Sequence, residues 1–129
     1  MALAVALDTN RYVDWCRGQV PATEVIAAAR RIVMPFIVLG ELRGGFRLGT
    51  KARQNEQVLS RFLQSPRVEV VYADEGTTHF YAGLYAELCR IGTPIPTNDI
   101  WIAALTIQHD LVLFARDKHF DHVPRLARI

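Results

Sequence analysis

A chain of 129 residues, half of them apolar and 22% charged, has the length of one domain and the composition of an ordinary globular protein. Its formal net charge of +2 is only mildly basic, which tolerates a nucleic-acid partner without arguing for one. Cys16 and Cys89 stand alone with no CxxC pair, so they read as free thiols in a reducing compartment rather than a disulfide framework.

The opening MALAVAL lacks a basic n-region, and Asp8 interrupts it too early for a signal peptide. Residues 3–7, apolar throughout, predict a fully buried strand instead. DTNRYVDWCRG follows as a short helix, and Pro21 opens a second that runs through IAAARR. IVM (32–34) is a short strand, and Phe36 to Gly49 a helix. In TKARQNEQVLSRFLQS, Val58, Leu59, Phe62 and Leu63 form a helical stripe ended by Pro66. VEVVYA (68–73) is a strand. DEGTTHFYAGLYAELCRIG is a helix, with Phe80, Leu84 and Leu88, and Tyr81 and Tyr85, at four-residue spacing and Gly92 as its stop. TPIPTN is a stiff loop before DIWIAALTIQHD, a helix so apolar that it must be buried. LVLFA (111–115) is another buried strand, and the final RLARI an edge strand. The longest later apolar run, IWIAALTI, falls far short of a bilayer span, so a cytoplasmic protein with no membrane partner is expected.

Strands alternating with helices predict an α/β domain over residues 1–129. Its form is a three-layer α/β/α arrangement around a central parallel sheet of four to five strands. In such folds the functional crevice lies outside the carboxyl ends of the strands. Most of the 13 acidic residues sit on polar faces, at helix starts or in turns, and Asp14 and Asp121 are expected to be exposed as well. Four stand out. Asp8 ends the first buried strand, Asp117 follows the last one, and Asp99 begins the buried helix. Glu41 lies inside the apolar register of MPFIVLGELRGGF, on what reads as an inward-facing surface. Taken singly, each has a plain structural explanation: a helix cap for Asp8 and Asp99, a turn for Asp117, a rim charge for Glu41. Taken together they converge on one edge, where carboxylates repel unless a cation is present. An all-oxygen set of this kind suits Mg²⁺ or Mn²⁺.

With those residues in place, DTN (8–10), VLGELRGGFRLG (38–49), PTNDIWIAA (96–104) and LFARDKHF (113–120) resemble the PIN-domain ribonucleases in order and spacing. Within that family they are most similar to the VapC-type toxins of prokaryotic toxin–antitoxin pairs, and the resemblance spans essentially the whole chain. It implies a metal-dependent endoribonuclease acting on RNA, with Asp8, Glu41, Asp99 and Asp117 as catalytic metal ligands and Thr9 or Asn10 supporting the first Asp. It further implies a small cognate antitoxin as partner and a homodimer, which Trp15, Tyr81 and Tyr85 also suggest as surplus aromatic surface. One departure is Ala115, two residues before Asp117, where relatives commonly carry a hydroxyl.

Arg43, Arg47, Lys51, Arg53, Arg116 and Lys118 cluster around the acidic motifs as candidates for flanking phosphates, each singly explained as a solvated face. His119 and His122 read as structural or rim residues, with no second ligand pair at zinc spacing. Trp15 and Trp101 read as core or interface aromatics. Two other readings share this size and pattern: a phosphorelay receiver-like domain, and a catalytically silent PIN scaffold that only binds a partner. A receiver needs an acidic pair near the first strand and a mid-chain phosphorylated Asp, whereas LAVALD supplies one acid and VEVVYADE matches poorly.

Overall fold

The computed structural model describes residues 3–129. In chain order the elements are β1 (Ala4–Leu7), α1 (Thr9–Cys16), α2 (Ala22–Ala28), β2 (Arg31–Pro35), α3 (Phe36–Leu48), α4 (Ala52–Gln64), β3 (Val68–Val71), α5 (Glu75–Arg90), α6 (Thr97–Gln108) and β4 (Val112–Phe114). A short 3₁₀ turn, Lys118–His122, follows β4. The four strands form one sheet in the order β3-β2-β1-β4, all parallel. Val5 pairs with Ile32 on one side of β1 and Val112 on the other.

Successive residues of a strand point to opposite faces, so a strand buried at every position is covered on both. Val5, Ala6 and Leu7 in β1 and Ile32, Val33 and Met34 in β2 are all buried, as the three-layer arrangement requires. The buried run Ile102–Thr106 makes α6 the most enclosed helix, and the Thr106 hydroxyl satisfies itself on the Ile102 carbonyl at 2.8 Å. α5 packs along α6. Its start is fixed by a capping box in which Asp74 accepts from the Thr77 amide, while Gln108 of α6 donates to the same carboxylate.

The path moves outward from β1 to β2 to β3, then crosses back to place β4 on the far side of β1. That reversal makes the carboxyl ends of β1 and β4 the topological switch point, where α/β folds open a crevice. A phosphorelay receiver carries its third strand in the middle of the sheet. Here β3 is the edge, so the receiver-like reading is ruled out.

Several boundaries differ from expectation. α2 stops at Ala28, because Ala29 is already extended and leads into β2. β3 ends at Val71 rather than residue 73. α6 begins at Thr97, since Pro96 is a suitable residue ahead of a first turn; Asp99 therefore lies within that turn instead of opening the helix. The expected terminal strand reduces to one bridge, Leu113 to Arg128, with Leu113 donating to the Ala127 carbonyl at 2.8 Å. The chain turns at Arg125, in a left-handed conformation at φ 62°, and leaves only a few residues to run beside β4. Among the described residues no helix is long and apolar enough to cross a membrane.

Candidate active site

β1 delivers Asp8 directly to the switch point. Its backbone N–H bonds the Phe114 carbonyl at 3.2 Å, continuing the β1–β4 ladder, and its residue is only 5% exposed. Asp8 occupies the N-cap position of α1 but makes no side-chain cap hydrogen bond, so the capping explanation fails and the carboxylate is free for other work. Burial pushes its pKa up to about 6, opposed by the Thr9 backbone N–H and reinforced by the charges of Asp99, Glu41 and Asp117.

Glu41 is not on an inward-facing surface. It is exposed, one position before buried Leu42, because the apolar stripe of α3 runs through Ile37, Val38, Leu39 and Leu42 and leaves Phe36 and Glu41 at the rim. Two neighbours orient it. The Thr9 hydroxyl donates to Oε1 at 2.6 Å, and the Asn98 amide approaches Oε2 at 3.4 Å. The sequence suggested Thr9 or Asn10 as support for Asp8; instead Thr9 reaches across to Glu41.

Asp99 and Asp117 meet through a residue the sequence assigned to structure or rim. His119 Nδ1 lies 3.0 Å from Oδ2 of Asp99 and 3.1 Å from Oδ1 of Asp117. The His119 backbone N–H also donates to Asp117 at 2.9 Å, closing the tight turn after β4. Burial raises the Asp99 pKa against the hydrogen bond from His119, and Asp117 and Glu41 raise it further. The D-x-H spacing over residues 117–119 was the available signal for His119. His122 makes no comparable contact with the acidic residues among the described residues.

Glu41, Pro96, Thr97, Asn98, Asp99, Asp117 and His119 line a shallow open pocket of about 360 Å³. Larger cavities lie elsewhere, but they are predominantly apolar and hold none of the four acidic residues. Ala115 is buried and adds no hydroxyl to the site. What this arrangement offers chemically is three carboxylates, Glu41, Asp99 and Asp117, and one imidazole nitrogen around the pocket, with Asp8 at the adjoining end of β1 rather than among the lining residues; Asp8 and Asp99 carry raised pKa values. That donor set fits a hard divalent cation, whose charge would relieve the repulsion.

Two of the basic candidates are committed elsewhere. Arg43 forms a two-pronged pair with Glu56 of α4, at 3.0 Å for each bond. Arg116 does the same with Asp14 of α1, at 2.9 and 3.2 Å, while Arg11 approaches from the other side at 3.4 Å. Asp14 is thus buried rather than exposed, because its partner arrives from the segment after β4, far away in sequence. Arg47, Lys51, Arg53 and Lys118 are exposed and form no ion pair among the described residues.

Trp15 packs on Tyr12 and Phe62, and Trp101 stacks on Tyr81 at 4.1 Å between ring centres. Val58 and Trp15 are shared by two neighbouring apolar grooves of about 580 and 710 Å³, between α1, α2 and α4.

Residues 5–126 match the PIN domain family model. Among curated relatives, ribonuclease VapC4 of Mycobacterium tuberculosis is 28% identical over 88 residues, covering 68% of each chain. Ribonuclease VapC1 of Haemophilus influenzae is 32% identical over 100 residues, covering 74% of this chain and 71% of the relative. Among solved structures, VapBC2 from Rickettsia felis bound to a promoter DNA fragment superposes with a TM-score of 0.86 at 28% identity, over 98% of both chains. VapBC from Salmonella typhimurium gives 0.87 at 25% identity, over 98% and 97%.

Proposed function

The chain belongs to the PIN domain family, and from that premise we propose that it is the ribonuclease toxin of a toxin–antitoxin pair, cutting RNA by metal-dependent hydrolysis. The observation that supports this reading is the meeting of Glu41, Asp99 and Asp117 in one pocket at the switch point, with Asp8 at the end of β1 beside them. The names of the relatives support the ribonuclease activity, and the VapBC complexes support the toxin–antitoxin pairing.

In this reading Asp8, Glu41, Asp99 and Asp117 would hold Mg²⁺ or Mn²⁺. Such an ion supplies Lewis-acid activation of a phosphodiester and lowers the pKa of water. The protein's share is positioning. Asp8 presents a carboxylate from a rigid buried strand end; although burial raises its pKa to about 6, it is largely ionised at neutral pH and so available to a cation. Thr9 and Asn98 fix both oxygens of Glu41 at the mouth. Asp117 is held by the His119 amide, which leaves its other oxygen available to orient an attacking water. Arg47, Lys51, Arg53 and Lys118 attract the flanking phosphates.

The two apolar grooves around Trp15 and Val58 suit an apolar segment of the antitoxin, and a cationic side chain from it would satisfy the carboxylates. The exposed faces of Phe80 and Tyr85 on α5 suit a second copy of the chain.

The test is cleavage of RNA by protein purified in parallel with its Asp8→Asn variant. Wild type should lose cleavage in excess EDTA and regain it with Mg²⁺ or Mn²⁺, while Asp8→Asn stays inactive throughout. Equal cleavage by both proteins would identify a contaminant or a different site, and a folded wild type inactive with either ion would favour the silent scaffold.

A further inference from the structure

His119 stands closer to the acidic residues than a neighbour that merely closes the rim. Nδ1 is 3.0 Å from Asp99 and 3.1 Å from Asp117, and the three donor atoms of Asp99, Asp117 and His119 lie within 4.8 Å of one another. Adjacent donors on an octahedral ion with bonds near 2.1 Å are separated by about 3.0 Å. A tetrahedral ion at similar bond lengths would spread them to about 3.4 Å. Both nitrogen-to-oxygen distances are compatible with the octahedral spacing, as they are with an N–H···O hydrogen bond. An imidazole Nδ1 carries at most one hydrogen, so as a pure donor it would serve two carboxylates with a single N–H. A cation placed between the three satisfies all of them.

The remaining half of the site differs in kind. Asp8 and Glu41 offer oxygen alone, and their neighbours Thr9 and Asn98 are occupied with Glu41. Nitrogen donors favour first-row transition ions, whereas Mg²⁺ prefers oxygen and water. We propose that His119 is itself a metal ligand, and that Asp99, Asp117 and His119 form a mixed oxygen–nitrogen position that selects a transition-metal ion over Mg²⁺. This inference rests on the metal-dependent reading above and deepens it by assigning the nitrogen ligand and the selectivity. His119 is exposed and sits in a surface turn, so its replacement leaves the core untouched.

The test uses untagged full-length protein with Mn²⁺ alone and no RNA. Pulsed electron paramagnetic resonance reads directly whether a nitrogen nucleus is bonded to the ion. Wild type should show nitrogen coupling, His119→Gln should lose it while still binding Mn²⁺, and His122→Gln should keep it. In a titration of melting temperature, His119→Gln should shift the Mn²⁺ midpoint by at least about tenfold and the Mg²⁺ midpoint much less. Bound Mn²⁺ without nitrogen coupling, coupling that survives His119→Gln, or equal shifts for both ions would each overturn the assignment. If RNA cleavage still requires a divalent ion in any of those cases, the ribonuclease reading stands and only the His119 ligand falls. Failure to bind Mn²⁺ at all would overturn the inference whatever the cleavage assay reads.

Discussion

At the scale of single residues, Asp8 carries the strongest prediction. Its folded pKa near 6 lies above its ordinary value of 3.8, so between those limits the folded state holds the proton that the unfolded state has released. Stability of the metal-free protein therefore falls as pH rises through that window, by up to about 3 kcal/mol for a shift of this size. Asp8→Asn cannot ionise and should lack that fall. Chemical denaturation in EDTA at pH 4.5 and pH 7 measures it: the variant should match or exceed wild type at pH 7, with a smaller difference at pH 4.5. Parallel pH dependence in the two proteins would remove Asp8 as the source. The position of Asp8 and Asp117 just beyond β1 and β4 was legible in the sequence, because a lone acid after an all-apolar strand is a simple pattern. It misled on Glu41, because a run of apolar neighbours does not say which way one side chain of a helix turns; the stripe through Ile37, Val38 and Leu42 passes beside it. The sequence reads His119 as a rim residue: the D-x-H spacing with Asp117 is a weak local signal, and its other partner, Asp99, lies 20 residues away and is brought near only by folding.

Among elements, the tie between α1 and the segment after β4 matters most for the site. Asp14 receives two hydrogen bonds from Arg116, the residue immediately before Asp117. Those bonds hold the Asp14 carboxyl below the usual carboxylate range, against the opposing effect of burial. The pair therefore contributes stability above about pH 4 and loses it as acid protonates Asp14. Asp14→Ala should lower stability at pH 7 by roughly 1–3 kcal/mol, because a buried charged hydrogen bond is lost while half-exposed Arg116 can recover water. The deficit should shrink toward pH 3, as measured by urea unfolding. An unchanged stability at pH 7 would show that the pair contributes nothing net. No local sequence signal marks such a pair, since the two residues are 102 positions apart. The helices and strands themselves were legible almost throughout, because their apolar periodicities are local. Their ends were less so: Pro96 moved the start of α6, and the left-handed Arg125 cut the last strand to one bridge.

Taken as a whole, the molecule places its polar chemistry at one sheet edge and its exposed apolar surface elsewhere. The grooves beside Trp15 and the α5 face with Phe80 and Tyr85 are separate from the acidic pocket. Such surface is consistent with assembly, and light scattering of the purified chain should return the mass of a dimer, rising further when a small partner is co-expressed from the native operon. A strict monomer with no co-purifying partner would count against both interfaces. The sheet order, which excludes the receiver-like alternative, was not legible in the sequence, because alternation of strands and helices is common to both topologies. Hydrolysis by water at a carboxylate-held ion needs no attack by the RNA's own 2′-hydroxyl, so it leaves no cyclic phosphate. Mapping the ends of a cleaved RNA tests this most directly: fragments should carry simple phosphate and hydroxyl ends, formed only with a divalent ion present and only by protein with Asp8 intact. Fragments ending in 2′,3′-cyclic phosphate, or cleavage that persists in excess EDTA, would contradict the account.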